Sequence, residues 1–457
     1  MVNNSTLELI RFRSLTNWNI KNLISENPFS SQYPLKPIGF AIKRIKDQMV
    51  IKDEETYKRI TIKTNCGGVV VRDEVLGSEI KTKKQYYVRK GQLAVSKIDA
   101  RNGAFGIIPV EADGAVITGN FWVYDVDADI ANIVYLILVL SSDVFVKAWQ
   151  ACSNGSGNRL YLQEDLFLNY RIPFPSMEEQ NQIVDRYIKK INEAQSNYAM
   201  ADNDNVEKYI SKTLGLKWLD FCNTSSNVLN FANFKDMINW SAVTNFITIK
   251  PADIFKSDIY ENKPILNYCQ INPITKLDTI EDTCSFIPME SVSDRYGELQ
   301  SYKKGYVSKS NGYTKFLEND ILWAKITPCM QNGKSAVAKN LINGCGYGST
   351  EFHIFRCNDN ILPEFLHILL RTKRIREVAV RYFTGSSGQQ RVGVDFLENL
   401  TIPCIPIESK NQLQLTQKKI VSTVKRMNDE IKKLNIEAKT LIEQAKKEFE
   451  ETVFCEA

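Results

Sequence analysis

Short apolar runs separated by polar residues recur along both halves of the chain, and each series of runs is followed by one longer apolar segment. Short runs rich in Val, Ile, Tyr and Phe favour strands, whereas longer apolar segments favour helices. In the first half the pattern predicts strands and then a helix at Tyr86–Val88, Gly91–Ile98, Phe121–Tyr124 and Ala131–Ala151. In the second half it predicts the same order at Ile321–Ile326, Glu351–Phe355 and Pro363–Tyr382. The expected fold class is mixed α/β.

The two halves also share residues at a nearly constant separation of about 230 positions. An ordered series of such matches indicates two copies of one module in tandem. The long period excludes solenoid and propeller repeats, whose units are roughly 20–50 residues. The matches are Ile172-Pro173 with Ile402-Pro403, Asn181-Gln182 with Asn411-Gln412, Pro34-Leu35 with Pro264-Ile265, and the segment 91–98 with the segment 319–326.

Each module is followed by an extended Ile-Pro segment and then by the predicted start of a helix. Ser176 stands three residues before Glu179, and Ser409 stands three residues before Gln412. This spacing is typical of a capping box, in which the serine hydroxyl and the longer side chain satisfy free amides of the first turn. The sequence therefore predicts a capped helix after each module.

Both predicted helices carry a stripe of apolar residues at alternating spacings of three and four, as in a coiled coil. One stripe needs one partner, and the other helix of the same chain is the obvious candidate, as an antiparallel pair. The alternative is that each helix packs back on its own module. The two stripes consist of Val184, Tyr187, Ile191, Ala194, Tyr198 and Ala201, and of Ile420, Val424, Met427, Ile431, Leu434, Ala438, Leu441 and Ala445.

Composition is ordinary for a folded protein, with 43% hydrophobic and 24% charged residues among 457. No run of about 18 apolar residues predicts a membrane span, and the first residues lack the features of a signal peptide. The ten cysteines form no CxxC pair, so we expect free thiols in a reducing cytoplasm, and neither a metal site nor a cofactor. The net charge of +5 permits an anionic partner without requiring one.

Catalytic signatures are absent from the sequence: there is no P-loop, no dinucleotide-binding glycine motif and no HExxH. With two histidines in the chain, a Ser-His-Asp site is not expected. The triplet Glu79-Ile80-Lys81, with Asp73 upstream, resembles part of a nuclease site, but it has no counterpart in the second module. We therefore expect a protein that is not itself an enzyme.

Polar side chains of the kind that contact nucleic acid follow the central strand and the glycine-serine loop of each module. Arg, Lys, Asn and Gln bind phosphates or read base edges through paired hydrogen bonds. A solvated turn is the alternative interpretation of any one loop, and the recurrence in both modules favours a binding surface. The candidates are Lys97, Arg101, Asn102, Asn158 and Arg159 in module one, and Lys325, Thr327, Asn332, Lys334, Ser387, Gln389, Gln390 and Arg391 in module two.

Together these motifs make the chain resemble the specificity (S) subunits of type I restriction–modification systems. The resemblance rests on the duplicated Ile-Pro segments at 172–175 and 402–406, the Asn-Gln helix starts, and three stretches of module two. These stretches are Glu318–Lys334, Gly348–Phe352 and Gly385–Gln390. Module one departs from the pattern at Thr118–Phe121 and in its shorter glycine loop.

The resemblance implies a non-catalytic subunit whose two modules each read one half of a bipartite, asymmetric site on double-stranded DNA. It also implies paired helices that fix the gap between the half-sites and dock DNA methyltransferase subunits, with restriction/translocase subunits joining the complex. The corresponding regions are recognition domains at 1–176 and 237–406, a central helical spacer at 177–236 and a C-terminal one at 407–457.

Two alternatives stay open at this point. The chain could be a coiled-coil scaffold with two protein-binding modules, in which case the polar residues above should be scattered. It could also be an S-like subunit of another DNA-modifying defence system, with the same recognition role and different partner enzymes. The sequence does not reveal which bases are recognised.

Overall fold

A computed structural model describes residues 31–145, 149, 152–154, 161–202, 204–217, 219, 249–277, 282–386 and 388–454. Within these, the chain divides into two compact units. Unit 1 contains residues up to Tyr198 and from Ile436 onward, and unit 2 contains Ala199–Asn435.

Unit 1 is built on two sheets with a pair of short β-ribbons. Its strands are β1 Leu35–Pro37, β2 Ile42–Ile45, β3 Gln48–Val50, β4 Thr56–Ile62, β5 Val69–Leu76, β6 Lys84–Tyr87, β7 Leu93–Ser96, β8 Phe105–Ile107, β9 Val116–Ile117, β10 Phe121–Val126, β11 Ser153–Asn154, β12 Tyr161–Leu162 and β13 Arg171–Pro173. Its helices are α1 Ile133–Ser141, α2 Glu164–Asn169 and most of α3 Met177–Met200. One sheet has the order β2-β10-β7-β8 and the other β3-β6-β9-β4-β5.

Unit 2 repeats this architecture. Its helices are α4 Asp204–Thr213, α5 Pro363–Arg371, α6 Lys373–Ala379, α7 Val394–Glu398 and the first half of α8 Gln417–Phe454. Its strands are β14 Asn262–Pro264, β15 Cys269–Ile271, β16 Cys284–Ile287, β17 Lys303–Gly305, β18 Thr314–Leu317, β19 Ile321–Ala324, β20 Ser335–Val337, β21 Cys345–Gly348, β22 Phe352–Cys357, β23 Phe383–Thr384, β24 Arg391–Val392 and β25 Thr401–Pro403.

The sheet order of unit 2 follows that of unit 1, except that the second sheet of unit 1 has one more strand, β3, and the second sheet of unit 2 has the order β17-β16-β21-β18. Its first sheet, β15-β22-β19-β20, is antiparallel throughout and corresponds to β2-β10-β7-β8. In the second sheet the parallel pair β16 and β21 corresponds to β4 and β9. The buried central strands β7 and β19 are fully apolar or small, as expected for strands covered on both faces. The predicted tandem of two mixed α/β domains is confirmed.

One match of the sequence repeat is wrong by three residues. In both units a three-residue strand, β1 or β14, is followed directly by a 3₁₀ turn. The end of the strand and the start of the turn are Pro37-Ile38 in unit 1 and Pro264-Ile265 in unit 2, so these two dipeptides correspond. Pro34-Leu35 was matched instead because both dipeptides join proline to an aliphatic residue. The Ile-Pro match is confirmed, because Ile172 pairs with Lys36 of β1 and Ile402 pairs with Lys263 of β14.

The long helix predicted in each module ends earlier than the apolar pattern suggests. In unit 2 it breaks at Thr372, whose backbone is extended between α5 and α6. In unit 1 α1 ends before Ser142, which has the same extended backbone. Both hydroxyls donate to a carbonyl three residues earlier, to that of Val139 and that of Leu369. Such local bonds give Ser and Thr an alternative to the helix, which explains the break.

The two helix starts differ in an instructive way. At α3 the capping box is confirmed: the amide of Ser176 donates to Glu179 at 2.9 Å and the amide of Glu179 donates to the Ser176 hydroxyl at 3.4 Å. At α8 the predicted capping box is wrong, because residues 407–416 are not helical. The hydroxyl of Ser409 donates instead to Gln414. The helix begins at Gln417.

A buried glutamine marks the true equivalence of the two helix starts. Gln180 accepts from the amide of Asn132 at 2.9 Å and donates to the carbonyl of Pro175 at 3.0 Å. Gln417 accepts from the amide of Leu362 at 2.7 Å and donates to the carbonyl of Ile405 at 2.8 Å. The Asn181 and Asn411 match is therefore fortuitous, because unit 2 carries seven more residues between its Ile-Pro segment and its buried glutamine.

The apolar stripes are largely buried. Every predicted position on α8 is buried or half-buried, whereas Tyr198 of α3 is 39% exposed. Within unit 1, α3 and the end of α8 run antiparallel in contact: Tyr187 packs edge-on against Phe449 at 6.4 Å between ring centroids, and Lys190 forms an ion pair with Glu448. Both helices also join the core of the first sheet through residues such as Ile183 and Val453. The stripe therefore combines helix pairing with packing on the module.

Candidate nucleic-acid interface

The central strand of unit 2 continues as a polar corner beyond its last buried residue. The amide of Lys325 donates to the carbonyl of Glu351 at 2.9 Å, and the carbonyl of Lys325 accepts from Val392 at 3.0 Å. The amide of Thr327 donates to the carbonyl of Gln390 at 2.9 Å. These bonds join the end of β19 to β24 and to the start of β22. They bring Lys325, Thr327, Gln390 and Arg391 to one corner.

Arg391 is held within this corner by a two-pronged ion pair. Its guanidinium donates to both carboxylate oxygens of Glu351, at 2.9 and 2.8 Å, and to the carbonyl of Gln389 at 2.8 Å. The bonds from Arg391 lower the pKa of Glu351 below its ordinary value, and the positive charge of Lys325 acts in the same direction. The guanidinium of Arg391 is thus occupied in this structure, and it holds the backbone of Gln389 in place.

The other candidates of module two lie around the same turn. Thr327 donates from its hydroxyl to the side chain of Gln331, and Asn332 is exposed in the turn that follows. Lys334 lies differently, because its ammonium donates to the carbonyls of Met289 at 3.2 Å and Val292 at 3.1 Å. Lys334 therefore ties β20 to the neighbouring loop. Gln389 is exposed, Gln390 is half-buried, and Ser387 lies outside the described residues.

The equivalent corner of unit 1 has the same backbone bonds and the same lysine, whereas its other side chains differ. The amide of Lys97 donates to the carbonyl of Asn120, and its carbonyl accepts from Leu162, as Lys325 does with Glu351 and Val392. The Lys97 ammonium lies 5.5 Å from the ring centroid of Trp122. Burial and, after it, the positive charge of Arg44 lower the pKa of Lys97, while Glu164 acts in the opposite direction.

Arg44 extends this corner across the sheet. Its guanidinium carbon lies 5.2 Å from the ring centroid of Trp122, and it forms an ion pair with Glu164 at 2.5 Å. Arg101 is half-buried, and Asn102 is exposed in a turn where its side chain donates to Asp99 at 3.3 Å. Asn158 and Arg159 lie outside the described residues. Lys97 and Arg44 thus place two cations over the buried ring of Trp122.

The chain was compared with known families and structures. A family model described as the type I restriction modification DNA specificity domain matches residues 39–197 and 238–444, which is most of both units. The chain belongs to this family. The resemblance drawn from the sequence is confirmed.

Two relatives of this specificity-domain protein come from Escherichia coli. The type I restriction enzyme EcoAI specificity subunit is 32% identical over 167 residues, covering 36% of this chain and 28% of that subunit. The EcoEI specificity subunit is 35% identical over 155 residues, covering 33% of this chain and 26% of that subunit. The matched segment thus spans less than a third of either relative.

A solved structure shares the fold of the whole chain. It comes from work on complex assembly and conformational transition of the type I R-M system. The match covers 93% of this chain and 98% of the chain in that structure, with a TM-score of 0.54 and 15% sequence identity. At that identity the likeness concerns the fold, and it extends over both specificity domains.

A set of interspersed tyrosines and lysines in the second specificity domain was missed in the sequence. Its members lie on or beside β17 and β18, the two edge strands of the second sheet of unit 2, and in the connection between them, and the tyrosines are between 40% and 45% exposed. Lysines with interleaved aromatic side chains suit a nucleic-acid backbone with stacked bases. The interspersion itself was the available signal. The set consists of Tyr302, Lys303, Lys304, Tyr306, Lys309, Tyr313 and Lys315.

Asp73, upstream of the nuclease-like triplet of the first specificity domain, is bonded to two arginines. The carboxylate of Asp73 accepts from Arg59 at 2.7 Å through both oxygens, and from Arg72 at 3.2 Å. These arginines hold the pKa of Asp73 below its ordinary value. Among the described residues, no group of three or more His, Cys, Asp or Glu side chains is placed to hold a metal ion. No helix in the described ranges has the length and apolarity to cross a membrane.

Proposed function

We propose that this chain is the DNA-reading subunit of a type I restriction–modification complex, with each unit binding one half of a bipartite site. The observation that carries the proposal is the pair of equivalent corners. The backbone bonds are shared, whereas Lys97, Asn120 and Tyr161 in unit 1 stand where unit 2 has Lys325, Glu351 and Arg391. A common frame with different side chains suits two readers of different sequences.

The chemistry of unit 2 assigns separate roles to its side chains. Exposed Gln389 carries an amide that can bond an adenine through two hydrogen bonds, and Lys325 carries a cation for phosphate. Arg391 acts through its bonds to Glu351 and Gln389, which fix the direction of the reading loop. Methylation and cleavage then belong to partner subunits, with methyltransferase subunits docked on this chain and restriction/translocase subunits joining them. This chain supplies sequence recognition without catalysis.

Methylome mapping tests the proposal directly. The gene is expressed with its neighbouring methyltransferase gene in a host that lacks both, and each gene is also expressed alone. We expect methylation at one two-part asymmetric motif only when both genes are present. A palindromic motif, or the same motif without this chain, would overturn the proposal. Unaltered methylation together with stable capture of other proteins would favour the scaffold alternative.

Binding measurements on the mapped target then separate the roles within unit 2. Gln389→Ala should relax base preference at one position of one half-site, whereas Lys325→Ala should weaken binding to all sequences and reduce the salt slope by about one. Lys439→Ala on α8 is the matched control, since within the described part of the chain Lys439 pairs only with Glu443 of the same helix. Unchanged binding of both test variants would remove this corner from the interface.

A further inference from the structure

A cleft of about 320 Å³ opens between the two sheets of unit 2. One wall comes from the segment 272–275 that follows β15, and the other from Tyr313–Lys315 at the start of β18. Lys325 lies at its edge, at the end of β19. Its floor is apolar, because Phe352 and Ile354 of β22 are almost fully buried. The cleft therefore adjoins the reading corner and has a volume within the range of small-ligand sites.

Two cations line this cleft without a carboxylate of their own. Among the described residues, Lys315 and Lys325 form no ion pair. The charge of Lys325 acts on the carboxylate of Glu351, but both oxygens of that carboxylate accept from Arg391. The two ammonium groups are consequently available to a ligand anion. A phosphate is the anion that lysines bind as point charges.

The cleft also offers a fixed aromatic ring. Tyr313 is 45% exposed. Its ring packs against Phe286 at 5.6 Å and Tyr347 at 5.2 Å between centroids, so neighbouring rings hold it in place. A ring that is held on one side and exposed on the other is a stacking platform for a planar group.

The polar groups of the opposite wall are fixed as well. Asn272 accepts from the amide of Ile354 at 3.0 Å and lies 2.9 Å from a ring nitrogen of His353. Thr275 accepts from Arg356 at 2.9 Å. A side-chain amide has two donor hydrogens, so Asn272 retains one for a ligand. Fixed hydrogen-bonding groups facing a ring are the arrangement that recognises one edge of a planar heterocycle.

We propose that this cleft is a nucleotide pocket, in which a base stacks on Tyr313 and its phosphate lies between Lys315 and Lys325. The inference rests on the proposed function and adds to it a place where a single nucleotide unit is held. The nucleotide has two sources with the same chemistry: a base drawn out of the target duplex, or a free nucleotide. The apolar floor and the single spare amide donor suit either one.

The test uses the full chain and two pocket variants, Tyr313→Leu and Lys315→Gln. The matched controls are Tyr198→Leu, at a tyrosine of similar exposure on α3, and Lys439→Gln. The first probe is the set of free deoxynucleoside monophosphates, titrated by calorimetry. The second is the mapped target duplex with 2-aminopurine at successive half-site positions, because its fluorescence rises when the base leaves the stack. Circular dichroism confirms that each variant is folded.

We expect the pocket variants to weaken nucleotide binding about tenfold or more, with both controls within twofold of the original chain. Loss of the calorimetric signal identifies a free nucleotide as a ligand, and loss of the fluorescence rise identifies a base of the target. Pocket variants that match the controls with both probes overturn the pocket. Failure of the original chain to prefer the target over a scrambled duplex overturns the proposed function instead, and the pocket is then decided by the free nucleotides alone.

Discussion

Replacing Gln417 with methionine should destabilise unit 2 by about 2–4 kcal/mol. Methionine has nearly the same length and fills the same space, so the change removes hydrogen bonds and little packing. The amide of Leu362 and the carbonyls of Ile405 and Asn360 lose their partner, and these bonds measure 2.7, 2.8 and 3.2 Å. An orphaned buried group costs about 1–3 kcal/mol and a partly buried one less, which gives the stated range.

Gln180→Met should have an effect of the same size on unit 1. Its amide also donates to two carbonyls and accepts from one backbone amide, at 3.0, 3.3 and 2.9 Å. The matched control is Gln412→Met, at the position that the sequence repeat equates with Gln182. Gln412 is exposed in the non-helical segment before α8, so its replacement should change stability by less than about 0.5 kcal/mol.

Hydrogen–deuterium exchange measured by mass spectrometry assigns each effect to its unit, and urea unfolding gives its size. Gln417→Met should raise exchange at the start of α5 and at the start of α8, and Gln180→Met at the start of α1 and α3. The reasoning is refuted if Gln417→Met behaves like the Gln412 control. It is also refuted if the two buried glutamines differ by more than about 3 kcal/mol, since equivalent bonds should have comparable values.

Three further predictions concern the helix cap, acid stability and activity. Ser176→Ala should cost about 1 kcal/mol and Ser409→Ala less than about 0.5 kcal/mol by urea unfolding, because only the first caps a helix; equal costs would contradict the structure. Burial lowers the pKa of His367 from 6.5 to about 3, so the unfolded state binds a proton that the folded state does not. Stability should therefore fall as pH drops below about 6.5, by up to about 1.4 kcal/mol per pH unit, and His367→Gln should flatten that slope; an unchanged slope would refute the assignment. The purified chain with S-adenosylmethionine and magnesium should neither methylate nor cleave DNA in a gel assay, and activity that survives repurification would contradict this.

The sequence was sufficient for the architecture because the core strands carry their own pattern. The segments around Leu93 and Ile321 are continuous apolar runs, and they form the corresponding central strands β7 and β19, 228 residues apart. The hairpin of β4 and β5 was missed because charged residues interrupt its apolar ones, as Lys58 and Arg59 do between Tyr57 and Ile60, so neither strand stands out as a continuous apolar run. Strands with one solvent-exposed face give a weaker hydrophobic pattern in the sequence than fully buried strands do.

The candidate site was harder to predict, because its residues come together only through pairing across the sheet. Lys325 and Arg391 lie 66 positions apart in the sequence, and the bridge between Ile326 and Arg391 places them side by side. Lys334 shows the opposite case: it follows the same strand, yet its ammonium is committed to the carbonyls of Met289 and Val292. Residue type and proximity in sequence predict polarity, whereas the direction of each side chain depends on the fold.

The two units share hydrogen bonds to equivalent backbone groups, even where the side chains that make these bonds differ. This explains why some residue matches between the two halves of the sequence are correct and others are wrong. The helix break frees the carbonyl of Leu140 in unit 1 and that of Leu370 in unit 2, since a helix end leaves carbonyls without an amide partner. In unit 1 the indole of Trp149, which follows the break, donates to the carbonyl of Leu140 at 3.0 Å.

In unit 2 the indole of Trp323, on the central strand β19, donates to the equivalent carbonyl of Leu370 at the same distance of 3.0 Å. Neither tryptophan has a counterpart at the equivalent position of the other unit, where Ala379 and Val95 stand. A search for matching residues therefore finds no relation between them. A buried carbonyl without a hydrogen-bond donor is costly, so both units supply a donor for this carbonyl. The tryptophan that supplies it lies on a different element in each unit. Equivalence between the units is consequently better judged from hydrogen-bond partners than from residue identity, as with Gln180 and Gln417.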